Sequence, residues 1–199
     1  MCDPVLGDNG KIYTKPELVD IFVDKVIPLA DIVTPNQFEL ELLTKQKVET
    51  DKDITTAISI LHSKGPQTVV VTSVDRDKES EAAGDILVFA STTKKQDEGY
   101  HPQFKIRIPR LDSNFTGTGD LTAALLLAWC DTYPGRLQEA VLRSMSTVYN
   151  ILQDTVKFNA SAARAKTKSV IQTPELRLVQ NQEAIKSPSS SQIFVVEPL

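Results

Sequence analysis

Two glycines and an acid open one apolar helix of this 199-residue chain. Phe115-Thr116-Gly117-Thr118-Gly119-Asp120 runs directly into the stretch that begins at Leu121. Glycines there leave backbone N–H groups free to converge on an anion, and the helix N-terminus adds its dipole. A carboxylate beside such a hole suits deprotonation of an alcohol that attacks a phosphoryl group held by those amides. The same residue types serve equally as a helix cap, because Thr and Asp satisfy orphan N–H groups at helix starts. In Thr34-Pro35-Asn36-Gln37-Phe38-Glu39, Asn36 and Glu39 lie three apart on one helical face. They read either as a capping box, with Thr34 or Asn36 as the cap, or as part of a water-mediated Mg2+ shell. Asp3 and Asp8 flank Pro4-Val5-Leu6-Gly7 and are either turn carboxylates or a pair that holds a cation against phosphate charge. Thr72-Ser73 follow a valine run at what reads as a strand's carboxyl end, where open α/β sheets bind ligands. Only eight residues are glycine, and four of them are Gly7, Gly10, Gly117 and Gly119. Scarce glycine concentrated in this way marks backbone that turns tightly or approaches a ligand. Four weak signals at element termini combine into one phosphate site.

The elements that position these residues follow from hydrophobic spacing. Leu18, Ile21, Phe22, Val26 and Leu29 predict a helix over Pro16–Ala30, and Ile32-Val33 a short strand ending at Thr34-Pro35. Helices are expected over Asn36–Thr44 and Asp53–Lys64, the second stopped by Gly65-Pro66. The β-branched run Thr68–Thr72 reads as a strand buried on both faces. Further strands are expected at Ile86–Ala90 and Phe104–Ile108, with Ser91–His101 a mobile surface loop between them. Helices over Leu121–Thr132 and from Leu137 to about Ala165 follow; Ser187–Ser191 links to a last strand, Ile193–Val196. Alternating strands and helices predict an α/β fold with a mainly parallel sheet and helical crossovers. Residues 1–199 are expected to form a single domain.

Composition narrows the function. Acidic side chains (26) outnumber basic ones (22), a formal net charge of −4 that leaves no electrostatic footprint for nucleic acid or an anionic membrane. No apolar run approaches the roughly 20 residues needed to cross a bilayer. Cys2 and Cys130 form no CxxC pair, and with only His62 and His101 beside them a zinc site is not expected. Metal chemistry should use oxygen ligands, and the default compartment is the reducing cytosol.

Taken in order, Cys2-Asp3-Pro4-Val5-Leu6-Gly7-Asp8, Thr34-Pro35-Asn36-Gln37-Phe38-Glu39 and Gly117-Thr118-Gly119-Asp120 resemble the ribokinase superfamily, and within it the pyridoxal kinases. The intervening Val26–Ile32, Leu61–Pro66, Leu125–Trp129 and Glu175–Gln180 are similar to the same family. The resemblance implies a ribokinase-like three-layer fold and ATP-dependent phosphorylation of the 5'-hydroxymethyl group of pyridoxal, pyridoxine or pyridoxamine. It implies Asp120 as the base and Gly117, Thr118 and Gly119 as the anion hole around the transferred phosphoryl. It implies Mg2+ organised by Asp8 and Glu39, and a monovalent cation (K+ or Na+) placed with Asp3, Thr34 and Thr72. ATP would bind through Asp3, Asn36, Glu39, Thr72, Ser73, Thr118 and the Leu111-Asp112-Ser113 stretch. It further implies a homodimer. The alternatives are another superfamily kinase, such as one acting on hydroxymethylpyrimidine, and a non-catalytic module that binds nucleotide or pairs with full-length subunits. Asp3-Pro4 reads as the exit from a strand with only Met1-Cys2 ahead of it. The expectation is therefore a nucleotide-binding portion of a larger fold that lacks the pyridine-gripping part. Such a chain should be poorly stable alone, with little kinase activity.

Overall fold

Val69 and Val71 face one way from their strand and Val70 the other, and all three are fully buried. That alternation sets the architecture, a central sheet with helices on both faces. The computed structural model describes residues 1–75, 84–164, 175–188 and 194–199. A small hairpin, β1 (Gly7–Asp8) and β2 (Lys11–Ile12), precedes the main sheet. The sheet has the order β3 (Ile32–Val33), β4 (Thr68–Asp75), β5 (Asp85–Thr92), β6 (Gln103–Pro109) and β7 (Val195–Pro198). On one face, α2 (Gln37–Thr44) and α3 (Asp51–Lys64) pack Leu40, Leu43, Ile54 and Ile58 against Val33, Val69 and Phe89. On the other, α4 (Thr118–Thr132) and α5 (Leu137–Arg164) pack Leu126, Val141 and Met145 against Val70, Val88 and Ile106.

The α/β layering agrees with the sequence, but the sheet is mixed rather than mainly parallel. Among the described residues only β3–β4 and the isolated Cys2–Val33 bridge are parallel; β4–β5, β5–β6 and β6–β7 are antiparallel. The connections explain the β4–β5 and β5–β6 pairs. Residues 76–84 and 93–102 are fewer than the dozen or more that a crossover requires, so β4, β5 and β6 return as hairpins.

Local departures have local causes. Pro16–Ala30 is not one regular helix: α1 (Glu17–Ile21) passes into a π-helical turn (Phe22–Val26) and a 3-10 turn (Ile27–Leu29). Pro28 lacks the N–H that a continuing α-helix needs. Ser91 and Thr92 are buried within β5 rather than in a mobile loop. The loop after them is tied to the α4–α5 turn, with Asp97 N–H donating to Gly135 O at 2.8 Å and Arg136 Nε to Asp97 at 2.7 Å. A 3-10 turn (Val179–Asn181) and α6 (Gln182–Lys186) complete the helices. Ala165, Ser189–Ser191 and Ile193 lie outside the described residues. Among the described residues, no helix is long and apolar enough to cross a membrane.

Candidate active site

The hydrogen-bonding at the N-terminus of α4 separates the two readings of Gly117–Asp120. Its N-cap is Gly117, held in the left-handed region at φ 85°, and no side chain caps the helix. A 15-residue helix thus presents its first amides and its positive dipole end to a cavity of about 590 Å3. Gly117, Thr118, Gly119 and Asp120 line that cavity. Across it stands Asp3, whose Oδ2 would meet a Cβ on Gly119 at 3.5 Å. Asp3 also accepts the Thr34 hydroxyl at 3.2 Å. Burial pushes the Asp3 carboxyl above its ordinary value against that hydrogen bond, and the charge of Asp120 adds to the rise.

Asn36 and Glu39 form a true capping box for α2. Glu39 N–H donates to Asn36 Oδ1 at 2.9 Å, and Asn36 N–H to Glu39 Oε2 at 3.0 Å. Glu39 reaches further: its Oε1 accepts Leu6 N–H at 2.7 Å and Gly7 N–H at 3.4 Å. Asn36 Nδ2 donates to Gly7 O at 2.8 Å, so the α2 start and the Asp3–Asp8 loop are stitched together. Burial raises the Glu39 carboxyl, partly offset by the three backbone hydrogen bonds. Each Glu39 oxygen thus accepts at least one backbone amide. Asp8 keeps a more open position, accepting from Asn9 N–H at 2.8 Å and Asn9 Nδ2 at 3.0 Å.

Thr72 and Ser73 enter the same cavity from within β4, not from its end. Val71 pairs with Phe89 and Val74 with Leu87, so both residues stand opposite Val88 in a β-bulge. The bulge frees them from the ladder and aims them at the site. Thr72 N–H donates to Pro35 O at 3.0 Å, which docks the bulge onto the start of α2.

Asp3, Asp8, Thr34, Asn36, Glu39, Thr72, Ser73 and Ser113 therefore share one wall system with Gly117–Asp120. Leu111 and Asp112 do not line it; Leu111 packs against the core under α4 and α5, and Asp112 is exposed. The structure adds an apolar wall that motif reading passed over: Met145, Val148, Tyr149 and Leu152 from one face of α5, with Ile86 and Ile108 from the sheet. Their i, i+3, i+4, i+7 spacing is visible in sequence, but it is the spacing of any core-facing helix. Among the described residues, no Lys, Arg or His side chain joins the wall, whereas four carboxylates do. A polyanion entering here needs a cation with it.

The sequence profile of the phosphomethylpyrimidine kinase family matches residues 1–166. The chain belongs to that family. This phosphomethylpyrimidine kinase family member is 42% identical over 189 residues to a pyridoxal kinase of Arabidopsis thaliana, covering 94% of this chain and 58% of that protein. It is 38% identical over 194 residues to the Homo sapiens pyridoxal kinase, covering 94% of this chain and 62% of that one. The chain thus spans about three fifths of the length of these relatives. Its fold superposes on Plasmodium falciparum PdxK with ligands AMP-PNP and PL at a TM-score of 0.78 and 27% identity, covering all of this chain and 59% of that one. Pyridoxal kinase from Leishmania donovani in complex with ADP and pyridoxamine gives a TM-score of 0.77 at 29% identity, covering 100% and 61%. The family member's three-layer α/β fold is accordingly the ribokinase-like one.

Proposed function

We propose that this chain carries the phosphoryl-transfer half of a pyridoxal kinase, moving the γ-phosphoryl of ATP to the 5'-hydroxymethyl group of pyridoxal, pyridoxine or pyridoxamine. The observation that carries this reading is the uncapped α4 N-terminus opening into a cavity with Asp120 in its first turn. Amides of Gly117, Thr118 and Gly119 hold the transferred phosphoryl, stabilising charge that spreads over its equatorial oxygens. Asp120 takes the proton from the attacking hydroxyl. Asn36, Thr72, Ser73 and Ser113 offer hydroxyl and amide groups to the nucleotide. The acidic wall fits a cation, because carboxylates without a basic partner repel phosphate unless neutralised. Asp8 and Glu39 would organise Mg2+, and Asp3, Thr34 and Thr72 would place a monovalent cation (K+ or Na+). Mg2+ held there would neutralise phosphate charge.

Residues 1–199 act as one kinase domain in this reading, and the working assembly is a homodimer. Cys2 and Cys130 are free thiols, burial pushes the Cys130 thiol up to about 11, and the reading places the chain in the reducing cytosol. A second reading, a nucleotide-binding module that pairs with other subunits, draws on the same cavity and uncapped helix start without requiring turnover. Steady-state phosphorylation of pyridoxal by the folded chain, with MgATP and potassium, separates the two. Turnover that Asp120→Ala lowers by about 10^2- to 10^4-fold supports the kinase in this chain itself. MgADP binding without turnover supports the module, and absence of both overturns both. Hydroxymethylpyrimidine as acceptor tests the remaining superfamily activity.

A further inference from the structure

Glu175–Gln180 lies far from the α4 start in sequence and next to it in space. Leu176 Cδ1 stands 3.9 Å from where a Cβ on Gly117 would be. Among the described residues no other atom comes within 4 Å of that point, the chain around Gly117 aside. Gly117 is the left-handed N-cap, and no side chain caps α4. A glycine in that state takes its setting from its backbone and from what packs on it.

Leu176 is in turn placed by its neighbour. Arg177 Nε donates to Asp154 Oδ2 at 2.8 Å, and its guanidinium lies over the Phe158 ring, 4.0 Å from the centroid. Asp154 and Phe158 are four apart and share one face of α5. Arg177 N–H donates to Thr155 Oγ1 at 3.4 Å, and Thr155 is itself buried. Asn181 Nδ2 closes the arrangement, donating to Asp154 Oδ2 at 2.9 Å and to Arg177 O at 2.8 Å. Arg177 is thus held at its guanidinium, its N–H and its carbonyl. The ion pair is partly exposed, where such pairs contribute little to stability, so the consequence of the network lies in what it places. The same α5 supplies Met145, Val148, Tyr149 and Leu152 to the cavity. The stretch that meets Gly117 is therefore fastened to the helix that walls the site.

We propose that Arg177 is a positioning residue of the phosphoryl site: pinned to α5 by Asp154, Asn181 and Phe158, it seats Leu176 on the Gly117 turn and so sets the direction of the first α4 amides. Its consequence for nucleotide rests on the kinase reading, while the seating belongs to the ligand-free chain.

Threonine precedes only two of the eight glycines, Gly117 and Gly119. Carbonyl-13C threonine with 15N glycine in the full chain therefore reports those two amides alone in a carbonyl-edited NMR spectrum. Without ligand, Arg177→Ala should displace the Gly117 resonance, and so should Leu176→Ala; an unmoved signal in either folded variant overturns the proposal. Thr50→Ala, which weakens the remote cap of α3, should leave that resonance in place, and an equal displacement there overturns the proposal as general loosening. The MgADP dissociation constant should rise about tenfold in Arg177→Ala and about tenfold in Leu176→Ala. The doubly substituted chain should stay near tenfold, because both side chains act through one contact; a rise of about a hundredfold overturns that route. Wild-type affinity in folded Arg177→Ala overturns the positioning role. If Arg177→Ala fails to fold, Arg177→Lys, which keeps the charge and loses the flat guanidinium over Phe158, is judged by the same criteria. If the wild-type chain takes up no MgADP, the kinase reading falls, and the resonances of the ligand-free chain still decide the seating.

Discussion

At the residue scale the site is set by what its small and acidic side chains exclude. A Cβ on Gly7 would collide with Lys11 O, stand 2.8 Å from Phe38 Cε1 and meet Ile12 Cα at 3.0 Å. Gly7→Ala must therefore push the β1–β2 hairpin off α2. We expect a loss of about 2 kcal/mol, seen as a midpoint lower by roughly 4–8 °C in thermal unfolding. Asp3 works the other way. Its carboxylate is held half-buried against desolvation and the charge of Asp120, so removing that charge should stabilise the ligand-free chain. Asp3→Asn should raise the midpoint at neutral pH by about 2 °C while weakening cation-dependent nucleotide binding. Both residues were marked as chemical in the sequence, Gly7 by glycine scarcity and Asp3 as one of the two acids, with Asp8, that flank Pro4-Val5-Leu6-Gly7. Neither the collision nor the desolvation is written there, since each needs α2, β2 or α4 to be in place.

Elements act through their ends. Thr50 and Asp53 form a reciprocal capping box at α3, with Thr50 N–H donating to Asp53 Oδ2 at 2.8 Å and Asp53 N–H to Thr50 Oγ1 at 3.2 Å. The α4 start has no such cap, and its glycine is left-handed. The two helices predict opposite outcomes for mutations of similar energy. Thr50→Ala should cost about 1 kcal/mol and leave MgADP affinity unchanged. Gly117→Ala should cost about 1–2 kcal/mol through its positive φ and also weaken MgADP binding, because it turns the first amides away from the phosphoryl. Calorimetric titration of both variants checks the contrast. The edges of the sheet are handled differently. At β7, Glu197 pairs with Lys105 and Arg107, and Pro198 cannot donate to another strand. At β3 the outer side bonds to Cys2, whose N–H donates to Ile32 O at 2.7 Å while its carbonyl accepts Thr34 N–H at 3.0 Å.

For the whole molecule, the acidic cleft governs the response to pH and cations. Asp3 and Glu39 both have folded-state values raised by burial. Such groups stabilise the fold below their unfolded values, and that contribution is lost as pH rises through the folded ones. Asp154 behaves oppositely: hydrogen bonds from Asn181 and Arg177 lower its value, so its contribution appears above the unfolded value and is lost on acidification. The midpoint of the wild-type chain should therefore fall relative to Asp3→Asn as pH climbs from about 4 to 7, and the two should converge below about pH 4. Adding Mg2+ with ADP should reverse the order, because a ligand that binds only the folded state raises the wild-type midpoint.

Much of this was legible before any coordinates. Hydrophobic period located α2, α3, α4 and α5 to within a few residues, because an amphipathic face must be buried wherever the chain goes. Glycine scarcity and the Asp120 segment marked part of the cavity's lining, because tightly turning backbone has a local residue signature. The mixed sheet was missed because the alternation of strands and helices was read over the whole chain, whereas the short connections among β4, β5 and β6 already argue against parallel crossovers there. The bulge that frees Thr72 and Ser73 arises only from the register of β4 on β5. The commitment of Glu39 to Leu6 and Gly7 depends on residues more than thirty positions apart meeting in space. By itself the sequence determined which residue types could handle a phosphate and which helices would carry them. Only the tertiary structure decided which amides each acid of the cavity meets, because a carboxylate's chemistry depends on those amides, and they come from another part of the chain.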